Sequence, residues 1–416
     1  MAPETRRVPL EAVRRLAVTK QHLAGKVAPK ATPESLLSVV RDLGFVQWDP
    51  VSIVAPSHLL SFASRLREFR PEALEDLLWR EKKLLEHWTP MASIVLTEDY
   101  PLYLSLMKRY PGSLSHSWGS QRTRAKRFLA SHARLRRKIL AELKRGPRTL
   151  GEFEDHARTK RDDGEWAPGS DVAHMLYHLT LSGDVMVVGH EGNQNVWGLP
   201  DGFLPDWVNR DALTEEEFER SAAQRAIRAL GTATPREITL YFVRGRYEKL
   251  KQTLADLEQE GRIERVAVEG LGPRDERYVH ASDVPLLGAL GSDRFEPRMS
   301  LLPPFDTLLG NQSRGNLLFG FDYIREQFLP KEKRRYGLYV LPILWGARFI
   351  GRIDPRLDKE TGTLVINSVH AEPGAPTDPA VASEIRATIA RLASFVGARR
   401  VSYPSRVPAA WRSSLR

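Results

Sequence analysis

Three times along this chain a threonine caps a helix, and each time the helical stretches that follow give way to two short extended runs. That recurrence restricts the fold more than any other feature. The caps are Thr32-Pro33-Glu34-Ser35, Thr149-Leu150-Gly151-Glu152 and Thr234-Pro235-Arg236-Glu237. A threonine oxygen satisfies an orphan amide at the helix start; in the second and third caps a glutamate three residues on reaches back to the cap's own amide, and in the first and third proline takes the first helical position. Helical periodicity precedes each cap, over 9–24, 132–145 and 216–229, the last opening on its own Thr214-Glu215-Glu216-Glu217 box. After the second cap, a helix pattern over 171–182 leads through Gly183 into Val185–Val188, the turn Gly192-Asn193-Gln194 and Val196-Trp197. After the third, 246–260 leads through Gly261 into Ile263–Val268 and Tyr278-Val279. The first copy is stretched: 71–80, then Leu84–Trp88 and Ser93–Leu96. Helix, capped helix, third helix and hairpin is the order of a winged helix-turn-helix. The spacing predicts three tandem modules, over 9–120, 121–210 (opening with a basic connector) and 211–290.

Past Gly291 the texture changes. Leu338–Leu344, Ala347–Ile353 and Thr363–Val369 are β-type runs, with tight turns at Trp345-Gly346 and Thr361-Gly362, and 379–397 is again helical. This predicts a separate, mostly-β domain over 291–416, barrel-like and closed by one terminal helix. The expected fold class is therefore α+β, three winged helix-turn-helix modules followed by a β-barrel-like domain.

At 416 residues the chain is long enough for several cores. Without cysteine it can have no disulfide, thiol nucleophile or thiolate metal site. No apolar run approaches the roughly 18 residues that span a bilayer, and Met1–Arg7 lacks the apolar core of a secretory signal. These features point to a cytoplasmic, nucleoid-associated protein, acting as a monomer away from membranes. The net charge of +10 is concentrated. Between 121 and 148 stand Arg122, Arg124, Lys126, Arg127, Arg134, Arg136, Arg137, Lys138, Lys144, Arg145 and Arg148 against the single acid Glu142, an excess equal to the whole net charge. Such a stripe suits a polyphosphate backbone; it also fits a merely solvated helix face. The first eight of these residues are expected to bind nucleic acid, with double-stranded DNA as partner.

For chemistry the chain offers little conventional equipment. There is no glycine-rich phosphate loop and no nucleophile elbow. His174 and His178 are four apart on a helix, but lack a third ligand, so no metal or other cofactor is expected. What remains is Phe45-Val46-Gln47-Trp48-Asp49-Pro50. In an extended piece Gln47 and Asp49 share one face and Trp48 takes the other. A carboxylate beside an amide can stabilise a developing cation and hold a water against it. Asp-Pro is equally a common turn initiator, and on spacing alone that reading leads.

The wider context tips the balance. Phe45–Asp49, with Val51–Ala55 and Phe62-Ala63-Ser64-Arg65-Leu66 behind it, resembles the catalytic Gln-apolar-Asp region of the AlkZ/YcaQ family of bacterial DNA glycosylases. So do Leu301–Asp306, Phe319–Tyr323, Lys333–Pro342 and Gly351–Asp354, and the resemblance covers nearly the whole chain. It implies tandem winged helices and a barrel arranged around DNA, and monofunctional excision of alkylated purines, including unhooking of crosslinks through N7-alkylguanine. It implies Gln47 and Asp49 as catalytic residues supported by Trp48. The chain departs from the family at Thr89–Ala92, Glu165–Ser170 and Gly310-Asn311-Gln312, positions expected to face substrate or DNA. A non-catalytic winged-helix DNA-binding regulator is the alternative those departures leave open.

Overall fold

A computed structural model describes residues 5–27, 30–89, 91–114, 119–153, 171–243, 245–272, 275–291 and 294–415. Three of its four sheets are built to one plan. In the first, helix Pro33–Leu43 starts at Thr32, whose side chain accepts from the Ser35 amide, and stops at Gly44 with φ 78°. Only glycine reaches that left-handed backbone without strain. The two-residue strand Val46–Gln47 follows and pairs antiparallel with Ala92–Leu96, the second strand of a hairpin begun by Leu84–Trp88. Between them lie the helices Ser57–Ala63 and Pro71–Glu75, the latter continuing as a wider turn through Arg80. The other two sheets repeat this order. Arg148–Thr149 pairs with Gln194–Gly198 beside Met186–Glu191, and Thr232–Ala233 pairs with Arg277–His280 beside Ile263–Val268. The cap at Thr149 forms as expected, its amide donating to Glu152 at 2.7 Å, but it heads one 3-10 turn, Leu150–Glu152. The segment Glu165–Ser170 lies outside the described residues.

The start of the chain belongs elsewhere than its position suggests. Arg6–Val8 adds a parallel strand to Ile263–Val268 of the third sheet, and helix Leu10–Lys20 sinks Val13 and Leu16 among Val266, Val279, Leu287 and Leu290. The helix that opens the first unit is thereby packed into the third.

The C-terminal sheet has five strands. Met299–Leu301, Leu341–Trp345, Arg348–Asp358 and Thr363–Ala371 run antiparallel in that order, and Arg400–Ser402 joins parallel at the far edge. Its edge strands are not paired with each other, so the barrel-like domain is a curled half-barrel. Bulges between Ile343 and Leu344 and between Asp354 and Pro355 bend it. Helix Pro379–Phe395 covers one face with Ile385 and Ile389.

One buried ion pair ties these parts together. Arg65, just beyond helix Ser57–Ala63, forks onto Asp306 with its terminal nitrogens at 2.6 and 3.0 Å, both side chains fully buried. Its Nε donates to the Gln21 carbonyl at 2.8 Å, beyond the N-terminal helix. A second network joins Arg277 and Arg314 to Glu237 at 2.8 and 2.7 Å. Burial alone would raise the Glu237 carboxyl; the two guanidinium groups hold it lowered. A buried pair robbed of one partner leaves an uncompensated charge. Arg65→Ala should therefore lose about 3–5 kcal/mol of stability by urea denaturation, whereas Arg65→Met combined with Asp306→Leu should lose markedly less.

Candidate active site

The cross-strand register sets the geometry of Gln47-Trp48-Asp49. Gln47 sits opposite Ser93, which sits opposite His87, so these three side chains share one face of the first sheet. The Trp48 amide extends the ladder by donating to the Ala92 carbonyl at 2.8 Å, and its indole takes the other face. There it is held between two imidazoles. His58 stacks on one side at 4.0 Å and 13°, His190 on the other at 4.6 Å and 6°. With both faces covered, Trp48 has none left on which to stack a nucleobase.

Each imidazole is committed. His58 Nδ1 donates to the Asp49 carbonyl at 3.3 Å, which assigns it the Nδ1–H tautomer. Burial pushes its pKa down to about 4, against the raising effect of that carbonyl. His190, on the second unit's hairpin, meets the buried Glu86 carboxylate at 2.9 Å through Nε2. The second unit thus clamps the indole from outside while the helix after Asp49 clamps it from inside.

The two polar residues flanking this stack are in the opposite condition. The half-buried Gln47 carboxamide has no hydrogen-bond partner among the described residues. Asp49 is buried, at 8% exposure. Its Oδ1 accepts from the Val51 amide at 3.2 Å, the bond of a turn-initiating Asp, but its Oδ2 has no partner among the described residues. Burial raises the Asp49 carboxyl and the Val51 amide offsets this only in part. Tyr339, fully buried in the C-terminal sheet domain, lies within electrostatic reach of Asp49.

The basic stripe occupies helices Gly119–Ser131 and Ala133–Leu143. Lys126, Arg127, Arg134 and Arg137 stand exposed without an ion pair to any described residue, and Arg124 and Lys138 are exposed as well. Among the eight residues expected to bind DNA, Arg122 and Arg136 have partners inside the chain: Arg122 Nε donates to the Leu114 carbonyl at 2.7 Å, and Arg136 pairs with Asp184 at 3.1 Å. His174 and His178 meet through their Nε2 atoms at 3.1 Å, and Tyr110 holds His178 Nδ1. Among the described residues no group of three or more His, Asp or Glu could hold a metal, and no helix is long and apolar enough to cross a membrane.

The description DNA glycosylase AlkZ-like matches residues 40–395, most of the chain. The chain belongs to the AlkZ-like DNA glycosylase family. It is accordingly a DNA-binding repair enzyme, a hydrolase acting on N-glycosyl bonds. The structure of Streptomyces sahachiroi DNA glycosylase AlkZ shares the fold, with a TM-score of 0.66 over 96% of this chain and 99% of that one at 17% identity.

Several family-like stretches prove to be one another's partners. Arg65 and Asp306 form the buried fork. Arg352 lies between the rings of Phe321 and Tyr336, at 4.3 and 4.2 Å. Asp354 accepts from the Tyr339 amide at 2.8 Å, and Gly337 leaves room for that carboxylate where any Cβ would collide with it. At Gly310-Asn311-Gln312, Asn311 caps helix Gln312–Phe319 by accepting from the Arg314 amide at 3.1 Å, a structural role at a position expected to face substrate. At the first hairpin, Thr89 donates to the Phe242 carbonyl at 2.8 Å. Sequence reasoning missed Ser57, His58, His190 and Tyr339; Ser57-His58 stood eight residues past Asp49, but the other two meet it only through tertiary packing.

The raised Asp49 pKa has a stability consequence with a definite sign. A carboxyl titrating higher in the folded than in the unfolded chain favours folding while protonated, and loses that contribution as pH rises through its folded pKa. Asp49→Asn should raise the melting temperature at neutral pH, and the gain should vanish in acid, where Asp49 is itself neutral.

Proposed function

We propose that Gln47 and Asp49 are the catalytic pair and that the substrate is an N7-alkylated purine in duplex DNA. The observation that carries this reading is the asymmetry of the stretch: its aromatic is locked on both faces, while an amide and a buried carboxylate oxygen beside it have no protein partner among the described residues. Of the imidazoles nearby, His58 donates to the Asp49 carbonyl and is kept neutral by burial, and His190 is turned to Glu86 through Nε2. A site with an anion and its imidazoles so engaged suits a base that already carries positive charge, as N7-alkylguanine does.

As the C1′–N9 bond breaks, its electron pair leaves with N9 and neutralises the base, while the sugar gains oxocarbenium character. Asp49 opposes that charge from a fixed, poorly solvated position, where an anion acts most strongly. Gln47 holds a water for attack on C1′, and Asp49 takes up its proton. No lysine is assigned an imine-forming role, so the reaction is monofunctional. We further read the three repeated units as winged helices, over 9–120, 121–210 and 211–290, and 291–416 as the fourth domain, the whole acting as a monomer. Lys126, Arg127, Arg134 and Arg137 grip phosphates along the duplex.

Purified protein incubated with duplexes bearing N7-methylguanine, or a crosslink through N7, should leave abasic sites cleavable by mild heating in base. Asp49→Asn and Gln47→Ala should each slow single-turnover release by about 10²–10³-fold, the loss typical of one preorganised electrostatic group. Undiminished release by the double variant would remove both residues from the mechanism, and tight sequence-selective binding without release from any alkylated duplex would favour the regulator reading.

Changing Lys126, Arg127, Arg134 and Arg137 together to Gln should weaken binding to all duplexes alike. The slope of log affinity against log salt should become shallower by about 0.9 for each phosphate that is no longer neutralised. An unchanged slope would show that the stripe faces away from DNA.

A further inference from the structure

Like Asp49 Oδ2, Ser57 Oγ and Tyr339 Oη are buried and make no close hydrogen bond to a described residue, the two hydroxyls lying only within loose hydrogen-bonding reach of each other. The three residues are neighbours. The Ser57 amide donates to the Asp49 carbonyl at 3.2 Å, and the Tyr339 phenol lies within reach of the Ser57 hydroxyl and within electrostatic reach of Asp49. Burying a hydroxyl without a partner costs its desolvation, and it is unusual for three such groups to adjoin. Packing does not explain the phenolic oxygen of Tyr339. Its ring belongs to an apolar cluster with Val54, Ala55 and Leu60, and phenylalanine would fill the same space. Its backbone is nonetheless fixed with care, by Asp354 on its amide and Gly337 two residues before.

Asp49 needs such help to remain an anion. No lysine or arginine faces it among the described residues; besides Tyr339, the titratable neighbours are His58, bonded to its carbonyl and neutral, and His190, beyond the indole of Trp48. Hydroxyl donors are what remains to favour the charged form. We propose that Ser57 and Tyr339 are positioning residues for Asp49, their hydroxyls donating through one bridging water to Oδ2 and holding the carboxylate charged and aimed at the sugar. One such water would have two donors and an anion around it, the coordination that buried waters take. The C-terminal sheet domain then takes part in the chemistry through a single phenol.

This inference rests on Asp49 being the catalytic anion, and the experiment separates the two. Tyr339→Phe, Ser57→Ala and Asp49→Asn are compared with wild type in single-turnover release of N7-methylguanine from a duplex, from acid to neutral pH, alongside duplex affinity and melting temperature. For Tyr339→Phe and Ser57→Ala the acid limb of the rate profile should move up by about one pH unit, with release about tenfold slower on that limb, the effect of one lost hydrogen bond to a charged group. Duplex affinity should stay at the wild-type value, and melting should stay or rise. If Asp49→Asn is inactive while both hydroxyl variants keep the wild-type rate and limb, the positioning role is wrong and the catalytic reading stands. A fall in melting temperature with an unmoved limb would make the hydroxyls merely structural and equally overturn the proposal. If Asp49→Asn keeps the wild-type rate, both readings fall.

Discussion

The guanidinium of Arg65 is the point at which three distant parts of the chain meet. It donates to the carbonyl of Gln21 at the end of the N-terminal helix, to the carbonyl of Ser61 in the helix after Asp49, and to both oxygens of Asp306 in the loop that leaves the C-terminal sheet. A fully buried charge is tolerable only when all its donors are used, so this fork admits one arrangement of the three segments. Asp306 is fixed in turn by the Leu308 amide at 3.0 Å. What depends on it is the relation between Asp49 and Tyr339, which approach from the first unit and the C-terminal sheet domain. The proposed site draws on both parts of the chain, and the fork fixes how they meet.

Around Asp49 the structure trades stability for poise. The stacked His58–Trp48–His190 rings and the Val51 amide hold the backbone and one carboxylate oxygen, while burial works against the charge that the proposed mechanism uses. Unpartnered buried polar atoms would be a flaw in a scaffold; in the proposed site they are binding capacity. The same logic accounts for Trp48. Its position between Gln47 and Asp49 invites a role in stacking DNA bases, but with both faces covered it packs the stretch in place.

How much of this was legible in the sequence followed the range of the interactions. Threonine caps, glycine stops and tight turns act over a few residues, and those at Thr32, Gly44, Thr234, Gly346 and Gly362 appear where the residue types demand them. Long-range pairing was not legible. Arg6-Arg7-Val8 carries no strand signal of its own and becomes one because Ile263–Val268 offers an edge. Whether five strands close into a barrel depends on edge strands meeting in space, which alternation within each strand does not encode. Gln47 and Asp49 were visible as a pair beside a turn, with Asp49 indeed making the turn's hydrogen bond. Their setting was not, because His190 and Tyr339 lie 141 and 290 residues from Asp49 along the chain. Nor could charge alone separate Arg136, committed to Asp184, from its exposed neighbour Arg137.

The central claim is that the ionised Asp49 carboxylate opposes the developing charge on the sugar. The measurement that tests it most directly is the pH dependence of single-turnover N7-methylguanine release by the intact protein. Because burial raises the Asp49 carboxyl, the rate should fall along one acid limb centred above the ordinary carboxylate range, and the residual rate of Asp49→Asn should show no such limb. A wild-type rate that stays flat through that range, or the same limb persisting in Asp49→Asn, would contradict the account.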